Sequence, residues 1–223
     1  MRGNDPSLLP CRAEVHVPDP VFAAWVDVAE RMDFSVNRSA GCYAAYDGRG
    51  AITVSDDAGL DPDDSPGALV LHELAHFLTQ GDAARHLPDW GLNTWDPGPE
   101  DDRRERSALR VQRALLLPWG LQTRLAPTTE YRPFYDALGD RPLTGDTVAL
   151  DAWSRAEKAG RLAILELALR ITAQTPDCGA CGACCHGGFD VLQVERDDPF
   201  TSRRELLERA PDGEGWELPR PSG

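Results

Sequence analysis

The chain has 223 residues, 41% of them hydrophobic, and a formal net charge of −14. That length suits one domain of about 150 to 175 residues plus a small appendage. The acid excess argues against a nucleic-acid backbone as main partner, since no basic surplus exists to release counterions. No apolar run reaches the roughly eighteen residues of a membrane span, and no signal-length apolar stretch opens the chain. A cytoplasmic protein with neither a nucleic-acid nor a membrane partner is therefore expected.

Residues 1–18 read as an irregular lead-in, in which Cys11 is an ordinary thiol and His16 a surface or loop histidine. Asp19-Pro20 opens a helix to about Met32, with Phe22, Trp25, Ala29 and Met32 on one stripe. Three strand-like runs follow at 34–36, 42–46 and 51–55, the last two separated by an Asp47-Gly48 turn signal. Cys42 falls in the second run and reads as a core strand residue. An acidic loop over 56–64 leads into the next helix.

That helix carries His72-Glu73-Leu74-Ala75-His76, an HExxH motif. Residues four apart share a helix face, so His72 and His76 can offer two imidazoles to one metal ion. Glu73 is placed to hold a metal-bound water and take its proton. Ser65 is a natural N-cap, Pro66 suits the first helical position and Gly81 is a natural stop. Between them Ala68, Leu69, Val70, Leu71, Leu74, Ala75, Phe77 and Leu78 make the helix apolar nearly all round, which belongs in a core. Two histidines and a glutamate buried there without partners would cost roughly several kcal/mol. A helix and short strands before a metal helix is the order of a zincin-like α+β domain, with a small sheet packed on the HExxH helix.

Residues 82–99 read as loop, and Glu100-Asp101-Asp102 suits the start of a helix running to Leu117 and stopped by Pro118. A catalytic zinc needs a third protein ligand. Glu105 shares the stripe of Leu109, Gln112 and Leu116, so the core-facing side of this helix carries an acid. Glu100, Asp101, Asp82 and Asp89 are the alternatives. Tyr131 or Tyr135 could stabilise an oxyanion, and no spacing rule selects between them. A long helix from about Thr147 to Ala173 follows, broken or kinked at Gly160.

Two resemblances enter here. His72 and His76 followed by Glu105 and the run Ala108…Ala114-Leu115-Leu116-Leu117-Pro118 resembles the gluzincin peptidases of the ImmA/IrrE type. There a glutamate-containing helix ending in Leu-Leu-x-Pro follows the HExxH helix. His72-Glu73-x-x-His76-Phe77, then Gly81, Ala83, Arg85, Leu87 and Asp89-Trp90-Gly91, is similar to the core of the elongation factor P hydroxylase family. That similarity implies oxygen chemistry on a mononuclear metal, Fe²⁺, in place of hydrolysis.

Beyond Thr175-Pro176 the composition turns Gly/Cys-rich and acidic, which divides the chain into 1–175 and an appendage, 176–223. Cys178-x-x-Cys181-x-x-Cys184-Cys185-His186 has thiolate spacing suited to Zn²⁺ or an iron–sulfur cluster. It resembles the YkgJ-type cysteine cluster, a metal-chelating module. The functional expectation is a zinc-dependent metallohydrolase, most simply a peptidase acting on a peptide or protein, with Glu73 as base and His72, His76 and Glu105 as ligands. The alternatives are an iron-dependent protein side-chain hydroxylase and a non-catalytic metal-binding protein.

Overall fold

The computed structural model describes residues 19–60 and 64–175, and the backbone of three short strands within 191–219. The chain divides into two units, one ending at Thr175 and the other beginning at Pro176. The first unit is mixed α+β. Its elements are α1 (Pro20–Arg31), β1 (Ser35–Ser39), β2 (Ala44–Tyr46), β3 (Ala51–Ser55), α2 (Pro66–Gln80), α3 (Pro99–Leu116), α4 (Arg132–Asp136), α5 (Thr147–Lys158) and α6 (Arg161–Gln174).

Helix α2 begins and ends where its capping residues dictate. The Ser65 hydroxyl accepts from Ala68 N, Pro66 occupies the first turn, and Gly81 closes the helix at φ 75°. Its residues are buried on nearly every side, because α1, α3, α5 and the sheet all pack against it. The last carbonyls of α2 are met from α5, where the Arg155 guanidinium donates to Leu78 O (3.2 Å) and Thr79 O (3.0 Å). A cation at a helix C-terminus also opposes the negative end of the dipole.

The sheet has the order β1-β3-β2, with β1 parallel and β2 antiparallel to β3. The Asp47-Gly48 signal does mark the β2–β3 reversal. Asp47 Oδ1 accepts from Arg49 N (2.7 Å) and Ala51 N (2.9 Å), and Gly48 takes φ 73°. Two strands start later than expected. Phe34 precedes β1 and is buried against Tyr46, Phe77 and Trp90. Cys42 lies in the loop before β2 and is half-buried, not a core strand residue, because the chain is still reversing from β1 there. Burial pushes its thiol pKa up, aided by the Glu73 and Asp89 carboxylates.

The helix expected over 147–173 is two helices. Gly160 adopts φ 70°, a left-handed conformation that ends α5 and lets α6 turn back to pack on α1. The 82–99 segment is not plain loop: short 3-10 turns occupy Asp82–Ala84 and Pro88–Gly91. In the second unit, β4 (Val191–Val194), β5 (Glu208–Arg209) and β6 (Trp216–Pro219) form an antiparallel sheet of order β4-β6-β5. Cys11, His16 and the cluster Cys178, Cys181, Cys184, Cys185 and His186 lie outside the described residues. Among the described residues, no helix is long and apolar enough to cross a membrane.

Candidate metal centre

The i, i+4 spacing on α2 brings the two imidazoles together. His72 and His76 meet edge to face, with ring centroids 4.6 Å apart and Nε2 atoms 3.0 Å apart. Helix α3 crosses beside them and presents Glu105 from the stripe that also buries Ala108, Leu109, Gln112 and Leu116. Glu105 Oε1 lies 3.1 Å from His72 Nε2, and Oε2 lies 3.1 Å from His76 Nε2. One donor atom from each of the three residues falls within 4.8 Å of the others. Tetrahedral ligands at about 2.0–2.1 Å from zinc stand about 3.3 Å apart, so these separations are within a few tenths of an ångström of a ligand set.

The orientation of His72 follows from Gln112. Its amide nitrogen donates to Leu125 O at 2.9 Å, so its Oε1 faces His72 Nδ1 at 3.0 Å. Nδ1 is then the protonated nitrogen, and the Nε2 lone pair points at Glu105 and His76. Two imidazole nitrogens and a carboxylate converging in a largely buried place require a positive charge among them. Without a metal, a proton fills that need. Burial opposes the charged form of His72, yet the Glu105 carboxylate outweighs it and lifts the pKa to about 9. Burial likewise opposes the Glu105 carboxylate, but the two histidines hold it well below the usual carboxylate range. The donor set fits a divalent cation on these grounds.

Glu73 is buried, 6% exposed, and its Oε2 accepts the Trp90 indole N–H at 2.8 Å. Trp90 stacks on Tyr46 with centroids 3.8 Å apart and planes 6° from parallel. Reaching that position needs Asp89 and Trp90 at φ 47° and 58°. Left-handed backbone costs a non-glycine residue roughly 1–2 kcal/mol. The turn is held by Tyr46 N donating to Asp89 Oδ1 (3.1 Å) and by Tyr46 Oη donating to Arg85 O (2.6 Å).

The other acids are engaged away from the two histidines, although Asp101 lines the same cleft as they do. Asp82 pairs with Arg161, Asp89 holds the turn beside β2, Glu100 pairs with Arg103, and Asp101 accepts from Gly98 N and Asn93 N. Of the five carboxylates considered as third ligand, Glu105 is the one the structure brings to the histidines. The two tyrosines separate too. Tyr131 lines the cleft above the centre, where burial and the nearby Asp102 and Glu105 charges push its hydroxyl up to about 12. Tyr135 is fully buried beside Leu109 and Ala126 and is not among the cleft-lining residues.

That cleft has a volume of about 410 Å³, within the range of small-molecule sites. Its floor is His72, Glu73, His76 and Glu105. Its walls come from Tyr43-Ala44, from Leu92, Asn93, Thr94, Pro97 and Asp101, and from residues 126–131. Two polar partners are not picked out by sequence reasoning. Gln112 sits on the apolar stripe of α3, where a lone amide is itself a signal of a buried acceptor or donor to satisfy. Trp90 carries a weaker one, its place in the Asp89-Trp90-Gly91 string. Comparison of the chain with protein-family models, with curated proteins and with solved structures found no match.

Proposed function

We propose that the chain is a zinc-dependent hydrolase, most simply a peptidase, with a zincin-like catalytic unit and a metal-binding cysteine cluster in the second unit. The observation that carries the reading is the convergence of His72, His76 and Glu105 at the floor of an open cleft, with Glu73 beside them. Held by these three residues, Zn²⁺ would polarise a substrate carbonyl and make a water nucleophilic near neutral pH. Gln112 keeps the His72 Nε2 lone pair turned into the centre, and Trp90 holds Glu73 by Oε2. Glu73 would accept the proton of the attacking water at Oε1 and return it to the leaving nitrogen. Of the two tyrosines, Tyr131 is the one that lines the cleft, and its hydroxyl would have to leave its Asp102 partner to stabilise the developing oxyanion.

Metal analysis of protein purified without added metal tests this reading, on wild type and His72→Ala, with a mixed-peptide hydrolysis assay beside it. Stoichiometric zinc lost in His72→Ala, and peptide cleavage lost in Glu73→Gln with zinc retained, are the expected results. Metal retained by His72→Ala at the same stoichiometry after the cysteine cluster is removed would refute it.

A second reading, an iron-dependent protein side-chain hydroxylase, draws on one observation. The Asp89-Trp90-Gly91 segment packs onto Glu73 and already engages one of its carboxylate oxygens. Two histidines and a carboxylate also suit non-haem Fe²⁺. Iron in place of zinc, with turnover that stops under anaerobic conditions, would select it. A stoichiometric metal with neither activity would select the non-catalytic alternative.

A further inference from the structure

Trp95 is 96% exposed, the reverse of how large aromatic side chains are normally spent. Its backbone is nonetheless braced. Asn93 Oδ1 accepts from Trp95 N (3.3 Å) and Asp96 N (3.2 Å), and Asn93 Nδ2 donates to Asp96 O (2.8 Å). Asn93 N in turn donates to Asp101 Oδ1 at 3.2 Å, tying the loop to the first turn of α3. Thr94 and Pro97, on either side of Trp95, both line the cleft. Trp95 is not itself a lining residue, but the braced loop carries its exposed indole between two residues that are, and exposed aromatic side chains are what interfaces use as anchors.

Apart from the two histidines, the charged side chains lining the cleft have one sign. Among the described residues that line it, Glu73, Asp101, Glu105 and Glu130 are acidic and none is Arg or Lys. The arginines of α3 on the neighbouring turns are committed: Arg104 donates to Gln80 and to the carbonyls of Trp90 and Gly91, and Arg106 pairs with Asp102. A divalent cation on the two histidines would offset Glu73 and Glu105. Glu130, and to a lesser degree Asp101, whose two oxygens accept from Gly98 N and Asn93 N, then leave the walls negative. An occupant carrying phosphate or carboxylate would meet these carboxylates with no cation on the walls to receive it, whereas a cation gains from both carboxylates and from an indole face.

We propose that the cleft takes a positively charged stretch of polypeptide, selected by Asp101 and Glu130 and anchored at the rim by Trp95. That the occupant is a polypeptide rests on the peptidase reading; that it is cationic rests on the walls. The test is fluorescence anisotropy on the full-length Glu73→Gln protein, which binds without cleaving. The probes are labelled peptides of alternating Ala and Arg, and of alternating Ala and Glu. The Arg peptide is expected to bind more than about tenfold tighter than the Glu peptide, with affinity falling as salt rises.

Trp95→Ala and Glu130→Lys should each weaken the Arg peptide by about tenfold without changing the melting temperature, since both side chains are exposed. Asp151→Lys makes the same charge change on the exposed face of α5 and should leave affinity within about twofold. Equal binding of the two peptides, or equal loss in Asp151→Lys and Glu130→Lys, overturns the proposal by reducing it to net charge. Wild type that binds the Arg peptide through Trp95 and Glu130 but cleaves nothing leaves the proposal standing and removes the peptidase reading instead.

Discussion

With no metal bound, the stability of the protein should depend on pH through the buried cluster of Glu105 with His72 and His76. His72 and Glu105 have side chains only 21% and 16% exposed, 3.1 Å apart. The pKa of His72 is raised from the ordinary 6.5 to about 9. A histidine with a raised folded-state pKa contributes stability that is complete below 6.5 and lost as pH climbs through about 9. Glu105 is depressed, so its share is present above the ordinary carboxylate pKa and lost only in strong acid. The metal-free protein should therefore be best stabilised by this pair between about pH 5 and 6.5 and should weaken toward pH 9. At 1.36 kcal/mol per pH unit, the full loss is about 3 kcal/mol, or roughly 10 °C in melting temperature for a domain of this size. Differential scanning calorimetry of chelated protein across this range measures it, with Glu105→Gln as reference to subtract Cys42 and every other group that titrates there. The chelated wild type should fall steeply relative to Glu105→Gln, and metal-loaded wild type should not, because the metal takes the place of the proton. A chelated wild type that keeps its melting temperature from pH 6.5 to 9, or a slope that survives in Glu105→Gln, would refute the reasoning.

Further outcomes follow from the same geometry. Gln112→Leu leaves His72 Nδ1 without its acceptor and should weaken metal affinity about 10- to 100-fold by competitive chelator titration, with the fold retained. Trp90→Phe keeps the stack on Tyr46 but strips the donor from buried Glu73 Oε2. A loss of about 1–3 kcal/mol in urea denaturation is expected, with metal content unchanged. At Gly48 a Cβ would sit 2.8 Å from Pro88 N at φ 73°, so Gly48→Ala should destabilise by more than about 1 kcal/mol in the same assay. Deleting 176–223 should remove any metal held by Cys178, Cys181, Cys184 and Cys185 while the centre at His72, His76 and Glu105 keeps its own, counted by elemental analysis.

Much of α2 is legible in the amino-acid sequence alone, because each signal acts within one or two turns. Ser65-Pro66 starts the helix, Gly81 ends it, and the i, i+4 step alone puts His72 and His76 on one face. Glu105 is legible for a related reason: the helical period sets it in line with Leu109, Gln112 and Leu116, so the packing that buries those residues also turns the acid inward. Local pattern does not reach the parallel pairing of β1 with β3, which skips over β2, nor the choice of Glu105 over Asp82, Asp89, Glu100 and Asp101. It also leaves open whether Gly160 kinks the helix or ends it, and only packing of α6 back on α1 decides that. The choice of acid depends on how α3 crosses α2 and on which arginines sit near each carboxylate. The same holds for Trp90, seventeen residues beyond Glu73, where a turn through left-handed backbone aims an indole back at the helix. Contacts of that kind are made by elements distant in sequence, and their geometry is set by how the whole core packs, so no residue spacing records them.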